Sequence, residues 1–377
     1  MAFFKRTKRI NLALQGGGAH GAFTWGVLDR LLEDETLAFG WVSGTSAGAV
    51  NAVAMASGLA VGGEGAAGRA EARATLRRVW EAVETAGVSD LARINPFLYG
   101  LTKGSGLAQM GSLLSPYDFN PLGFDPLRKL LQANVDFERV RAGGSSDMEL
   151  LIAATDVGTG RARLFRRAEM TVEAVLASAC LPQLHHAVEL DGRAYWDGGF
   201  SANPDVTTLA SESPTADTLI VQLTGLDRQS VPRTARDIAG QVSTITFNQP
   251  LLRDIEMIVA AQEEKVGQGG IFGIGRSNAP LARLGRHRFH LIDAGRHTSS
   301  LSADSKGTPE RNMLAQLFRA GRTETARWLE RHHGDIAKRQ TVDLRQRYLE
   351  HGRDRLASPT AQAVADEGEP VPVGSNI

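Results

Sequence analysis

Three short stretches hold the residue types that could do chemistry, and glycine frames each of them. The first is Gly44-Thr45-Ser46-Ala47-Gly48, a G-x-S-x-G pattern between the apolar lead-in Trp41-Val42 and an alanine-rich run. A serine hydroxyl becomes a useful nucleophile when a tight strand-to-helix turn holds its oxygen clear, and such a turn has no room for side chains two residues to either side. Gly44 and Gly48 meet that demand. The helix expected after Ala47 would aim its positive N-terminal end at Ser46, where negative charge develops during acyl transfer. Alone the pattern is short, and the chain holds 41 glycines, so its neighbours have to decide.

The second stretch is Gln15-Gly16-Gly17-Gly18-Ala19-His20-Gly21, set between the alternating Ile10-Asn11-Leu12-Ala13-Leu14 and a run with helical spacing at Phe23, Val27, Leu28, Leu31 and Leu32. This reads as strand, glycine loop, helix. Consecutive glycines let backbone N–H groups converge on one point, and the helix adds its positive end, so the loop suits an anion. Two functional readings stay open. Gly16-x-Gly18-x-x-Gly21 matches a dinucleotide fingerprint, with Glu33, Asp34 and Glu35 closer than the usual ~20 residues on. Alternatively the loop is an oxyanion hole for the serine that follows, and a plain tight turn is the structural account. The third stretch is Asp197-Gly198-Gly199, at the end of a hairpin that turns at Asp191-Gly192. A carboxylate between Trp196 and two glycines is poorly explained as a surface residue, although an Asx-turn is the simpler alternative.

The elements that must position these groups alternate between strand and helix. Strands are expected at 10–14, ending at Val42, at 149–155, at 161–165 pairing back, in the hairpin 187–199, at 218–223 and at 289–292. Helices are expected at 22–33, from 49 onward, at 71–86, at 171–179, at 242–259 with a break at Pro250, and at 310–332. The last is amphipathic and is read as docking on the core rather than binding a membrane. Residues 59–70 read as a Gly/Ala linker, and 95–125, rich in proline, glycine and aromatics, as a lid or acyl-binding wall. Asp156 is read as a turn cap, and the glycine-rich 267–275 is weak as a phosphate site because no Lys-Ser/Thr follows it. Domain boundaries follow: an N-terminal tail 1–9, a catalytic domain 10–295, a helical extension 296–352 packed on the core, and a disordered tail 353–377.

Composition excludes several classes. With 42% hydrophobic and 22% charged residues the chain is an ordinary globular protein, and 42 basic against 42 acidic residues leave no global field for nucleic acid. The lone Cys180 forbids an internal disulfide and any C-x-x-C site, so no metal and no cofactor is expected. No apolar stretch approaches the ~20 residues of a membrane span, and a cytoplasmic location is expected, with at most transient contact with a membrane surface.

In their order and spacing, Gly16-Gly17-Gly18-Ala19-His20-Gly21, Gly44-Thr45-Ser46-Ala47-Gly48 and Asp197-Gly198-Gly199 resemble the bacterial branch of the patatin-like phospholipase family. Weaker likeness continues through Ala177-Ser178-Ala179-Cys180-Leu181-Pro182 and the region from Ser305 to Trp328. The resemblance implies a three-layer α/β/α fold with a mostly parallel sheet and a lipid acyl hydrolase that acts on lipid or other ester substrates. It implies a Ser46–Asp197 dyad with Ser46 as nucleophile and Asp197 as general base. Gly16, Gly17 and Gly18 form its oxyanion hole, and Gly44, Gly48 and Gly198 support the turns. The family often has Arg or Lys where this chain has His20, so charge help at the loop is expected to vary with pH. Two other readings compete: a Ser-His-Asp hydrolase using His287, His290 or His297, and a nucleotide-binding protein using Gly16 to Gly21.

Overall fold

Eight strands in one sheet carry the site: β1 (Lys8–Leu14), β2 (Leu37–Thr45), β3 (Leu150–Asp156), β4 (Ala162–Arg166), β5 (Val188–Leu190), β6 (Arg193–Asp197), β7 (Asp217–Gln222) and β8 (Arg288–Asp293). The computed structural model describes residues 7–63, 65–94, 115–121, 123–143, 148–226, 231–267, 280–299, 301 and 303–350. β1 pairs in parallel with β2 and β7, β2 with β3, and β7 with β8, whereas β3–β4, β3–β6 and β5–β6 are antiparallel.

Alternate residues of the central strands enter opposite apolar layers. Ile10, Leu12 and Leu14 join one cluster and Ala13 the other; Leu150, Ile152 and Ala154 oppose Leu151; Leu219 and Val221 oppose Ile220. A strand buried on both faces reads as a near-continuous apolar run, which is why 149–155 and 218–223 stand out in the sequence. The first layer is covered by α1 (Gly21–Leu32), α2 (Ala47–Gly62), α3 (Gly65–Ile94) and the helix Arg311–His332. The second is covered by the helices Thr207–Glu212 and Ala235–Gly267. The fold is the expected three-layer α/β/α arrangement around a mostly parallel sheet.

Two elements differ from expectation, both because tertiary packing overrides local propensity. The 59–70 stretch is mostly helix, since α2 runs to Gly62 and α3 starts at Gly65. Each glycine inside a helix costs about 1 kcal/mol relative to alanine. Here the glycines let two backbones touch: a Cβ on Gly58 would collide with Ala72, and one on Gly62 would sit 2.8 Å from the Ala67 carbonyl. The helix expected at 242–259 spans Ala235–Gly267 and runs through Pro250. Proline removes a donor at about 3 kcal/mol, but Leu251, Ile255 and Ile258, all buried against the sheet, each contribute roughly 1.5–3 kcal/mol.

Residues 95–114 of the expected lid, 268–275 of the glycine-rich loop and the tail from 351 lie outside the described residues. The C-terminal helix docks as expected. A Cβ on Gly26 of α1 would collide with the Phe318 carbonyl, and one on Gly321 with the Phe23 carbonyl. Leu314, Leu317, Trp328 and Leu329 of that helix are buried in the core. Among the described residues no helix is long and apolar enough to cross a membrane.

Candidate active site

β2 passes into α2 with only Ser46 between them, and Ser46 takes φ 54°, ψ −121°. A positive φ on a non-glycine residue costs on the order of 1–3 kcal/mol and persists only where surroundings enforce it. They do so here. The Ser46 N–H donates to Ser178 Oγ (3.0 Å), and the Thr45 hydroxyl donates to the Ala202 carbonyl (2.7 Å). Gly44 and Gly48 sit where the turn closes on itself: a Cβ on Gly44 would lie 2.7 Å from the Gly48 carbonyl oxygen, and one on Gly48 would strike the Leu14 carbonyl. Ser46 thus sits on a strained strand-to-helix elbow closed by two glycines.

β3 brings Asp197 to this elbow. Thr45, the last residue of β2, pairs with Ala153, and Asp197, the last residue of β6, pairs with the next residue, Ala154. β4 pairs with residues 151–155 throughout, so β2 and β6 share the opposite edge of β3 and meet end to end. Ser46 and Asp197 therefore face each other across a junction made by two successive residues of one strand. Gly198 is held tightly enough that a Cβ would strike the Ala153 carbonyl.

Asp197 is fully buried, and its two oxygens differ. Oδ1 accepts the Gly199 N–H at 2.7 Å, which is the Asx-turn the sequence allowed. Oδ2 accepts no well-aligned hydrogen bond among the described residues. Burial pushes the carboxyl up to about 7, partly offset by the Gly199 N–H and the nearby Ser46 hydroxyl. The backbone on either side is pinned, with Asp197 N–H donating to the Cys180 carbonyl (2.7 Å) and Thr155 Oγ1 donating to the Asp197 carbonyl (2.8 Å).

The glycine loop closes over the elbow. A Cβ on Gly16 would come within 3.0 Å of Ser46 Cβ and 2.9 Å of the Thr45 carbonyl oxygen. The Gly16 amide is already taken, donating to Asn203 Oδ1 at 2.7 Å. The Gly17 and Gly18 amides donate to nothing among the described residues. Gln15 anchors the loop, its Oε1 accepting the Leu223 and Thr224 amides at 2.7 and 2.9 Å while its Nε2 donates to Asn248. His20 differs from expectation. It is buried with Nε2 2.7 Å from Ser305 Oγ, and desolvation together with the Lys306 charge lowers its pKa to about 4. It is neutral across the physiological range, so it does not make the loop's charge pH-dependent.

The competing constellations come apart. His287 bonds Thr218, His290 bonds Asp217 and Thr341, and His297 bonds Glu324. Asp217 and Thr218 open β7, whereas the elbow lies level with its end, where Leu14 pairs with both Val221 and Gly44. None of these histidines bonds to Ser46 or Asp197. A dinucleotide fold needs its ribose acid at the carboxyl end of the second strand; that place is held by Ser46, and Glu33, Asp34 and Glu35 precede β2 instead. Among the described residues no group of His, Cys, Asp or Glu is disposed to hold a metal ion. Behind the 178–181 turn lies a cavity of about 230 Å³ lined by Phe124, Leu127, Leu176, Cys180, His185 and Val188 among others. Asn120, Phe124 and Asp125 of the expected lid region line it too.

Sequence reasoning missed Asn203, Ser178 and Gln15. Ser178 had a signal in the weaker family likeness of 177–182. Asn203 and Gln15 had none, because their partners lie far away in the chain.

A comparison with curated proteins finds no match. A comparison with solved structures returns the crystal structure of VipD from Legionella pneumophila, at 16% identity and a TM-score of 0.39, covering 90% of this chain and 73% of that one. A sequence model described as patatin-like phospholipase matches residues 12–210, a span that begins in β1, contains the glycine loop, the elbow and Asp197, and makes up more than half of the chain. The chain belongs to the patatin-like phospholipase family.

Proposed function

We propose that the protein cleaves carboxylic esters of lipids through an acyl-enzyme on Ser46, with Asp197 as general base. Family membership supports lipid acyl hydrolysis in general. The observation that carries the dyad is the junction on β3, where a strained serine meets a buried aspartate with one oxygen left open.

In this reading Ser46 Oγ attacks the ester carbonyl as its proton passes to Asp197 Oδ2. The carbonyl electron pair collects on oxygen, which the Gly17 and Gly18 amides hold near the positive end of α2. The tetrahedral intermediate collapses, and the departing alcohol takes the proton from Asp197. Water then attacks the acyl group, again giving its proton to Asp197, and the fatty acid leaves as Ser46 regains its hydrogen. Gly16 contributes by lacking a Cβ rather than by its amide, which Asn203 occupies. A carboxylate near its ordinary pKa of ~3.9 is a weak base for a serine hydroxyl. One raised to about 7 is matched to neutral pH while staying substantially ionised there.

The test is labelling and turnover together. A fluorophosphonate probe is expected to modify Ser46, and Ser46→Ala and Asp197→Asn to abolish hydrolysis of a p-nitrophenyl ester. Because the base must be ionised, kcat/KM rises through a single-proton limb near pH 7. Retained activity in Asp197→Asn, with loss on replacing one of His287, His290 or His297, sinks the dyad in favour of a triad.

A further inference from the structure

Lys306 stands in an unusual place for a cation. Its carbonyl presses on the glycine loop closely enough that a Cβ on Gly18 would collide with it. Its ammonium donates to Thr224 Oγ1 at 3.3 Å. Thr224 in turn is one of the two residues whose amides Gln15 holds beside the loop. The neighbouring Ser305 Oγ bonds His20 Nε2, which fixes this turn against the start of α1. No carboxylate pairs with Lys306 among the described residues, and His20, whose pKa its charge helps to lower, is neutral.

A partly buried ammonium without an anion is costly, and proteins avoid it unless a counter-charge arrives. Desolvation accordingly lowers the Lys306 pKa, with no ion pair among the described residues to offset it. The Gly17 and Gly18 amides are in the same corner, and among the described residues they too are donors without acceptors. Cation and amides ask for the same thing, an anionic oxygen.

We propose that Lys306, Thr224 and the Gly17 and Gly18 amides form a subsite for an anionic oxygen of the bound ester, with Lys306 as its fixed cation. This rests on the ester-hydrolase reading above. The anionic oxygen has two sources: the carbonyl oxygen as it becomes negative, or a phosphate carried by the substrate next to its glycerol ester. The two separate kinetically, since the first exists only in the transition state and the second already in the ground state.

The experiment uses full-length protein and a matched pair of substrates with one acyl chain, a monoacylglycerol and the corresponding acylglycerol phosphate. Lys306→Met keeps the stem and removes the charge; Lys306→Arg keeps the charge. The methionine variant is expected to lose about 100-fold in turnover efficiency, and the arginine variant to recover much of it. Equal loss on both substrates, in kcat, identifies the developing oxyanion. Loss confined to the phosphate ester, in KM, identifies the substrate phosphate. Inorganic phosphate titrated into the Ser46→Ala protein reads the subsite without turnover, so a wild type that hydrolyses nothing would count against the ester-hydrolase reading while the titration still judges Lys306. The subsite is overturned if Lys306→Met equals its parent in both phosphate binding and turnover, or if Lys306→Arg loses as much as Lys306→Met.

Discussion

Asp197 closes β6 and Asp217 opens β7, and both side chains are buried. Their titration is opposite. Burial raises both, yet Asp217 is held well below the usual carboxylate range because His290, both ends of the Arg288 fork and the Ala337 N–H outweigh it. Asp197 has one amide on one oxygen and an open second oxygen, so burial wins and its carboxyl rises to about 7. Burial alone therefore does not decide a buried carboxylate's behaviour; the number of donors supplied to it does. Asp217 ties β7, β8 and the C-terminal segment together and is saturated. Asp197 is left short of donors where a proton acceptor is useful.

That contrast predicts opposite responses to the same substitution. Asp197→Asn is expected to lower kcat at least ~1,000-fold, at the upper part of the range for a lost general base, with the fold intact. Its stability should rise. A carboxyl raised from 3.8 to about 7 on folding stabilises below the unfolded pKa, and that contribution is lost as pH rises through the folded one. By pH 8 the buried charge costs up to roughly 4 kcal/mol. The asparagine variant should therefore melt higher than wild type at pH 8, with the gap closing by pH 4. Asp217→Asn should do the reverse, losing about 3 kcal/mol at pH 7 by leaving Arg288 and His290 without their partner. Here the folded pKa is depressed, so the contribution is present above the unfolded pKa and fades as pH falls below it. Turnover per folded molecule should stay within about twofold of wild type. Equal activity losses in the two variants would erase the distinction.

How far this was legible beforehand follows from the range of the interactions. The strands and the three glycine-framed motifs carry their signal locally, in apolar runs and in the steric demands of turns, so their existence and order could be read from the sequence. Helix extents at 59–70 and around Pro250 could not, because backbone contact with Ala72 and burial of Leu251 and Ile255 outweigh propensities that argue the other way. Ser46 and Asp197 stand out in the sequence as candidates, but their meeting through Ala153 and Ala154 is a matter of register, which no single segment encodes. The assignment of the loop's donors was least legible. Nothing near Gly16 reveals that a side chain 187 positions away takes its amide.

Asn203 offers the smallest and most discriminating of these tests. Its Oδ1 accepts the Gly16 N–H and its Nδ2 donates to the Phe247 carbonyl at 2.9 Å, so it links the glycine loop to the long helix on the other face of the sheet. Asn203→Ala leaves the buried Gly16 N–H without its acceptor, at about 1–3 kcal/mol of stability. If the Gly17 and Gly18 amides hold the oxyanion, the loop keeps its donors and loses only its brace, so kcat should fall by roughly 10-fold with KM little changed. If the Gly16 amide is instead the principal donor, its release from Asn203 frees it for the substrate, and kcat should hold or rise despite the lost stability. The two outcomes differ in sign. Steady-state kinetics beside a thermal melt thus decides whether Gly16 acts through its amide or through the side chain it lacks.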